Sequence, residues 1–168
     1  MIKKDKALGM LLGLHVGDSL GATLEFKDKH EIYEPHTEII GGGLLSWKPG
    51  EATDDTDMML CLLRSISNTG KFDQAAVSKE FLKWFESNPK DVGNTVSHAL
   101  SNLKSGIDLE NCGLKSEMNQ GNGSLMRSAS MALILYSDTD IRLQCSITHS
   151  HDNLLHVTNY IFYFCKIF

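Results

Sequence analysis

The densest concentration of reactive side chains in the sequence is GEATDDTD, residues 50–57, which places Glu51, Asp54, Asp55 and Asp57 within seven positions. Thr53 and Thr56 add hydroxyl oxygens. Carboxylates this close repel one another, and some take up protons unless something compensates. Water can do so in an exposed loop. A following helix can do so through its unsatisfied N–H groups and its dipole. A hard divalent cation can do so by ligation, and an all-oxygen donor set favours Mg²⁺, Mn²⁺ or Ca²⁺ over Zn²⁺. EF-hand spacing is absent. An N-cap followed by an acidic first helical turn is the plain structural alternative.

A second chemical signal is QGNGS at 120–124, small residues placed just ahead of a helical pattern that begins near Ser124. Glycines before a helix start leave backbone N–H groups open to an anion. An ordinary loop and cap is the alternative. Arg127 either adds charge there or serves as a structural ion-pair partner. His149, His151 and His156 have spacing that could ligate zinc, but no fourth ligand is evident, and solvated or packed histidines are the simpler reading.

The elements that must position these groups read as helices. Apolar residues recur at helical spacing over 7–21, 56–67, 73–87, 94–103 and 124–136, with a last apolar helix from 154 to the end. An acidic start and Gly70 bound the second, and Asp73 opens the third as a cap. Short Gly-rich segments separate them, and no alternating strand pattern is convincing. An all-α single domain over 1–168 follows. Gly9, Gly13, Gly17 and Gly21 recur every four residues, which predicts a helix or backbone approaching that stripe closely. Asp18 and His15 exclude its membrane version.

Composition narrows the function classes. The chain has 168 residues, 42% apolar and 22% charged, with a formal net charge of −5. Lys and Arg are scattered, which argues against nucleic acid as a partner. No segment approaches transmembrane length. Cys61, Cys112, Cys145 and Cys165 form no C-x-x-C pair and read as reduced thiols of a cytoplasmic protein.

Taken together, GDSLGATLEF (17–26), PGEATDDTDM (49–58), DVGNTVSHAL (91–100), QGNGSLMRSASMAL (120–133) and ITHSHD (147–152) resemble the ADP-ribosylglycohydrolase family in content and order. That family includes hydrolases that remove ADP-ribose from nitrogenase reductase and from arginine or serine side chains. The resemblance implies a compact, orthogonal all-helical domain and a two-magnesium centre, with Mn²⁺ as a substitute. It assigns Thr53, Asp54 and Asp55 to the metals, with Asp55 the bridging ligand. Glu25 becomes a carboxylate beside that centre, one that positions or deprotonates water or releases a ground-state metal contact, and Glu25 and Asp55 are the expected catalytic residues. Asp91 and Asn94 would lie near the substrate ribose or the attached side chain. Gly121, Asn122, Gly123 and Ser124, with Met126, would cradle diphosphate and ribose, and His149 would line the same cleft.

The implied substrate is ADP-ribose or an ADP-ribosylated protein. Family members carry a further D-x-D-[ST] segment near their C-terminus, which this sequence lacks after Asp152; SDTDI at 137–141 follows the GNGS helix too closely to be that element. The expectation is a domain truncated at its C-terminus. It would act with a second chain supplying the missing segment, or persist as a catalytically inactive ADP-ribose-binding or interaction protein. A purely structural helical protein is the reading from a different class.

Overall fold

A computed structural model describes residues 4–34, 36–114 and 121–134. The secondary structure of this part is helical: α1 (Lys4–Gly21), α2 (Asp54–Thr69), α3 (Gln74–Glu86), α4 (Asn94–Lys104), α5 (Gly123–Met126) and α6 (Ala129–Ile134). A 3-10 turn at Lys29–Glu31 and an isolated antiparallel bridge between Gly42 and Trp47 interrupt the long connection from α1 to α2. No named strand occurs among the described residues.

α2 is the central element. Thr53 caps its start, its side chain accepting the Asp55 N–H at 3.3 Å, while Gly70 ends it in the left-handed region at φ 70° with its N–H on the Ile66 carbonyl. The left-handed turn is cheap only for a residue without Cβ. Between the caps, Met58, Cys61, Leu62 and Ile66 recur at helical spacing and are buried. α3 begins at Asp73, whose carboxylate accepts the Ala76 N–H at 3.0 Å, and packs Val77, Phe81 and Trp84 against α2. Val96 and Leu100 of α4 and Met131 of α6 complete the core. Each large apolar side chain buried this way contributes roughly 1.5–3 kcal/mol relative to exposure.

Two sequence expectations meet a different outcome. The helical pattern over 124–136 is broken at Arg127–Ser128, giving the short α5 and α6 in place of one helix. The close neighbour expected along the α1 glycine stripe is absent among the described residues: a Cβ added at Gly9, Gly13, Gly17 or Gly21 meets nothing within 4 Å. Leu8, Leu12 and Val16 on the same helix are also exposed. The helix expected from 154 onward lies outside the described residues, as do His149, His151, His156, Cys145 and Cys165. Cys61 and Cys112 are buried, and burial pushes the Cys61 thiol up to about 11.

Candidate functional site

The C-terminal end of α1 fastens the start of α2. The Asp18 carboxylate accepts the N–H groups of Thr53 and Thr56, each at 3.2 Å to Oδ2, and the Thr56 hydroxyl. An acid at a helix N-terminus satisfies orphan donors and complements the dipole. One residue on, the Ser19 hydroxyl donates to the Glu51 carbonyl at 2.9 Å. The acidic segment is thus held from outside as well as by its own cap.

Held this way, the four crowded acids separate into two pairs. Glu51 takes the Lys48 N–H at 2.8 Å and the Lys90 ammonium at 2.7 Å, and these partners lower its pKa. Lys90 also lies 5.0 Å from the Trp47 ring centre. Asp57 accepts the Trp84 indole N–H at 2.9 Å. Both are spoken for by structure. Asp54 and Asp55 instead face a cleft.

That cleft encloses about 500 Å³ and is lined by Glu25, Phe26, Asp54, Asp55, residues 91–96, Gly121, Asn122, Gly123 and Met126. Its volume falls in the range of small-molecule sites, roughly 300–1,000 Å³. Four segments far apart in sequence contribute to it. The turn after α1 brings Glu25. The first turn of α2 brings Asp54 and Asp55. The loop before α4 brings Asp91 and Asn94, tied to α2 because the Gly93 N–H donates to Asp54 Oδ2 at 3.0 Å. The turn into α5 brings Gly121 and Gly123. A Cβ at Gly123 would sit 2.9 Å from Val96 Cγ2, so glycine is required for this turn to close on α4.

Among the described residues, four carboxylates and no Lys or Arg line the cleft, and the electrostatics follow. Burial raises Glu25 to about 7, with Asp91, Asp18, Asp55 and Asp54 adding repulsion. Burial raises Asp55 to about 6, with Asp18, Asp54 and Asp91 adding to it. Asp54 and Asp91 are raised chiefly by burial, against the lowering effect of the Gly93 and Val92 N–H groups respectively. One Glu25 oxygen is buried without a hydrogen-bond partner among the described residues. Uncompensated hard oxygen donors of this kind suit a divalent cation. The set is not a finished cage, because no three His, Cys, Asp or Glu side chains converge as a metal-binding group among the described residues.

Of the residues assigned from sequence, Glu25, Asp54, Asp55, Asp91, Asn94, Gly121, Asn122, Gly123 and Met126 share this one cleft. Thr53 and Ser124 do not line it: Thr53 is the buried cap of α2, and Ser124 is a buried residue of α5. His149 lies outside the described residues. Arg127 is buried with its guanidinium 4.8 Å from the Phe81 ring centre, lining a separate apolar cavity with Val77, Val96 and Leu100. Sequence reasoning gave no role to Asp18 or Phe26. The signal for Asp18 was present, as an acid inside an otherwise apolar, glycine-rich helix.

The ADP-ribosylglycohydrolase family model matches residues 1–163. The chain belongs to the ADP-ribosylglycohydrolase family. It is 43% identical over 155 residues to the ADP-ribosyl-[dinitrogen reductase] glycohydrolase of Rhodospirillum rubrum, covering 88% of this chain and 52% of that protein. It is 34% identical over 163 residues to the ADP-ribosylarginine hydrolase Tri1 of Pseudomonas putida (strain GB-1), covering 88% and 42% respectively. A solved ADP-ribosylglycohydrolase-related protein complex superposes with a TM-score of 0.81 at 30% identity, covering 97% of this chain and 54% of that one. The chain therefore spans about half the length of these family relatives. The all-helical fold expected from sequence is the fold of the family, and no described helix is long and apolar enough to cross a membrane.

Proposed function

We propose that the acid-lined cleft binds ADP-ribose conjugates and serves hydrolysis of the bond between ADP-ribose and a modified protein side chain. The observation that carries this reading is the convergence of Glu25, Asp54, Asp55 and Asp91 with the Gly121–Gly123 turn on one cavity. The names of the relatives, hydrolases of ADP-ribosylated dinitrogenase reductase and of ADP-ribosylarginine, support the substrate class.

Asp54 and Asp55, beside Thr53 and Glu25, would hold Mg²⁺, two ions in a complete site with Mn²⁺ as a substitute, and bound metal polarises ribose hydroxyls and orients water. The chain's own residues do the rest. Glu25, desolvated and near neutrality in pKa, positions a water and takes its proton. Bond breaking leaves oxocarbenium-like charge on the ribose, which the Asp55 and Asp91 carboxylates stabilise. Asn94 contacts the ribose or the attached side chain. The glycine turn, with Met126 beside it, admits the diphosphate because it carries no side-chain acid. The buried Cys61 thiol favours a cytoplasmic setting.

Release of ADP-ribose from an ADP-ribosylated peptide, with and without Mg²⁺, tests the reading. The D54N/D55N chain should lose both turnover and its response to Mg²⁺. Unchanged turnover in that double variant would overturn the metal assignment. The incomplete convergence of donors favours a second reading, an ADP-ribose-binding chain without turnover. Turnover would then require further oxygen donors, and a second chain is one source of them.

A further inference from the structure

Phe26 stands where the backbone favours glycine. The Lys27 N–H closes a turn on the Leu24 carbonyl at 3.2 Å, and Phe26 is the third residue of that turn, with φ 64°. A positive φ at this position normally selects Gly or Asn, because Cβ crowds the neighbouring carbonyl. A bulky aromatic there is an outlier. Core packing does not explain it, since Phe26 is 68% exposed. Together with the partly buried Glu25 it lines the acid cleft. Backbone strain that burial does not account for clusters at ligand sites.

The cleft's charges orient an ADP-ribose conjugate. Its diphosphate is repelled by the four carboxylates and belongs at the Gly121–Gly123 turn. The ribose carbon bearing the modified side chain then lies toward the acids, and the attached group passes Phe26 on its way to solvent. Among the described residues that line the cleft, Phe26 is the one aromatic. We infer that Phe26 is a specificity-determining residue whose ring packs against the group attached to the ribose, and that it selects a planar cation, a guanidinium, over a neutral alkyl-oxygen linkage. A guanidinium stacks on an aromatic face, and the surrounding carboxylates add attraction that a neutral serine linkage does not receive. This inference rests on the reading of the cleft as an ADP-ribose site and adds the linkage.

The test compares free ADP-ribose, an ADP-ribosylated arginine peptide and an ADP-ribosylated serine peptide, by calorimetry with Mg²⁺ present. Chromatography confirms that each conjugate stays intact, and kcat/KM replaces Kd for any that is cleaved. The wild-type chain should prefer the arginine conjugate. Phe26→Leu, which keeps apolar bulk without the ring, should reduce that preference about fivefold, the size of an exposed cation–π contact. Phe26→Tyr should retain it. Phe26→Gly should lose it while raising the thermal midpoint, a combination that a merely structural residue does not produce. A wild-type chain without the preference, a preference unchanged in Phe26→Leu, or equal weakening of all three ligands would overturn the inference alone. A wild-type chain that binds none of the three overturns the reading of the cleft as well.

Discussion

The Asp54 carboxylate accepts the Gly93 N–H at 3.0 Å, and this bond joins the two acidic walls of the cleft. It ties the first turn of α2 to the loop that carries Asp91 and Asn94, joining segments 39 residues apart. Asp54 also lines the cleft. Asp54 is therefore a structural strut and a candidate ligand together, whereas the side chain of Asp55, the next residue, makes no such tie among the described residues.

The support behind this strut is Asp18. Replacing it with Ala leaves the Thr53 and Thr56 N–H groups and the Thr56 hydroxyl without their acceptor. Hydrogen bonds to a charged group are worth roughly 1.5–3 kcal/mol, so Asp18→Ala should lower unfolding free energy by about that amount. Asp18→Asn keeps an acceptor oxygen and should cost less. Chemical denaturation of the two variants checks the order, and equal stability of Asp18→Ala and wild type would contradict the role.

Gly123 offers a packing test. A methyl at this position meets Val96 Cγ2 at 2.9 Å, closer than ordinary contact. Overpacking of this kind costs typically 1–3 kcal/mol. Gly123→Ala should therefore destabilise the chain and weaken ADP-ribose binding by displacing the turn, and adding Val96→Ala should restore part of the binding. A double variant that binds no better than Gly123→Ala would show that the glycine serves something other than this contact.

The raised carboxylates make a pH prediction with a definite sign. Glu25 at about 7 and Asp55 at about 6 stand above their ordinary values of 4.5 and 3.8, so both bind protons more tightly folded than unfolded. Their stabilising contribution is complete below those ordinary values and is lost as pH rises through 6 to 7. The metal-free chain should show a thermal midpoint that falls between pH 5 and pH 8. Mg²⁺ should restore stability more at pH 8 than at pH 5, because it binds the ionised form. A metal-free midpoint that rises over this interval would contradict the electrostatics described for the cleft.

Much of this was legible in the sequence because it is local. Helices α2, α3 and α4 fall within two residues of their predicted bounds, since caps and apolar spacing are properties of short windows. Nine of the assigned site residues meet in one cleft because their motifs sit at or just beyond the ends of α1, α2, α4 and α5. What was not legible depends on partners distant in the chain. Nothing within GEATDDTD says that Glu51 turns to Lys90 and Asp57 to Trp84 while Asp54 and Asp55 do not. The burial of Arg127 over Phe81, and the helix break at the same residue, are set by the core and not by the local pattern. Phe26 could not be singled out because a positive φ leaves no trace in a sequence unless glycine occupies it.

The most direct test of the account is calorimetric titration of the chain with ADP-ribose in the presence and absence of Mg²⁺, repeated on the D54N/D55N variant. The wild-type chain should bind saturably and more tightly with Mg²⁺, and the double variant should lose that strengthening. A thermal-shift series should agree, since ligand at 100 times its Kd stabilises by about 2.7 kcal/mol. Absence of binding at millimolar ADP-ribose with Mg²⁺, or a Mg²⁺ response that survives the removal of both carboxylates, would contradict it.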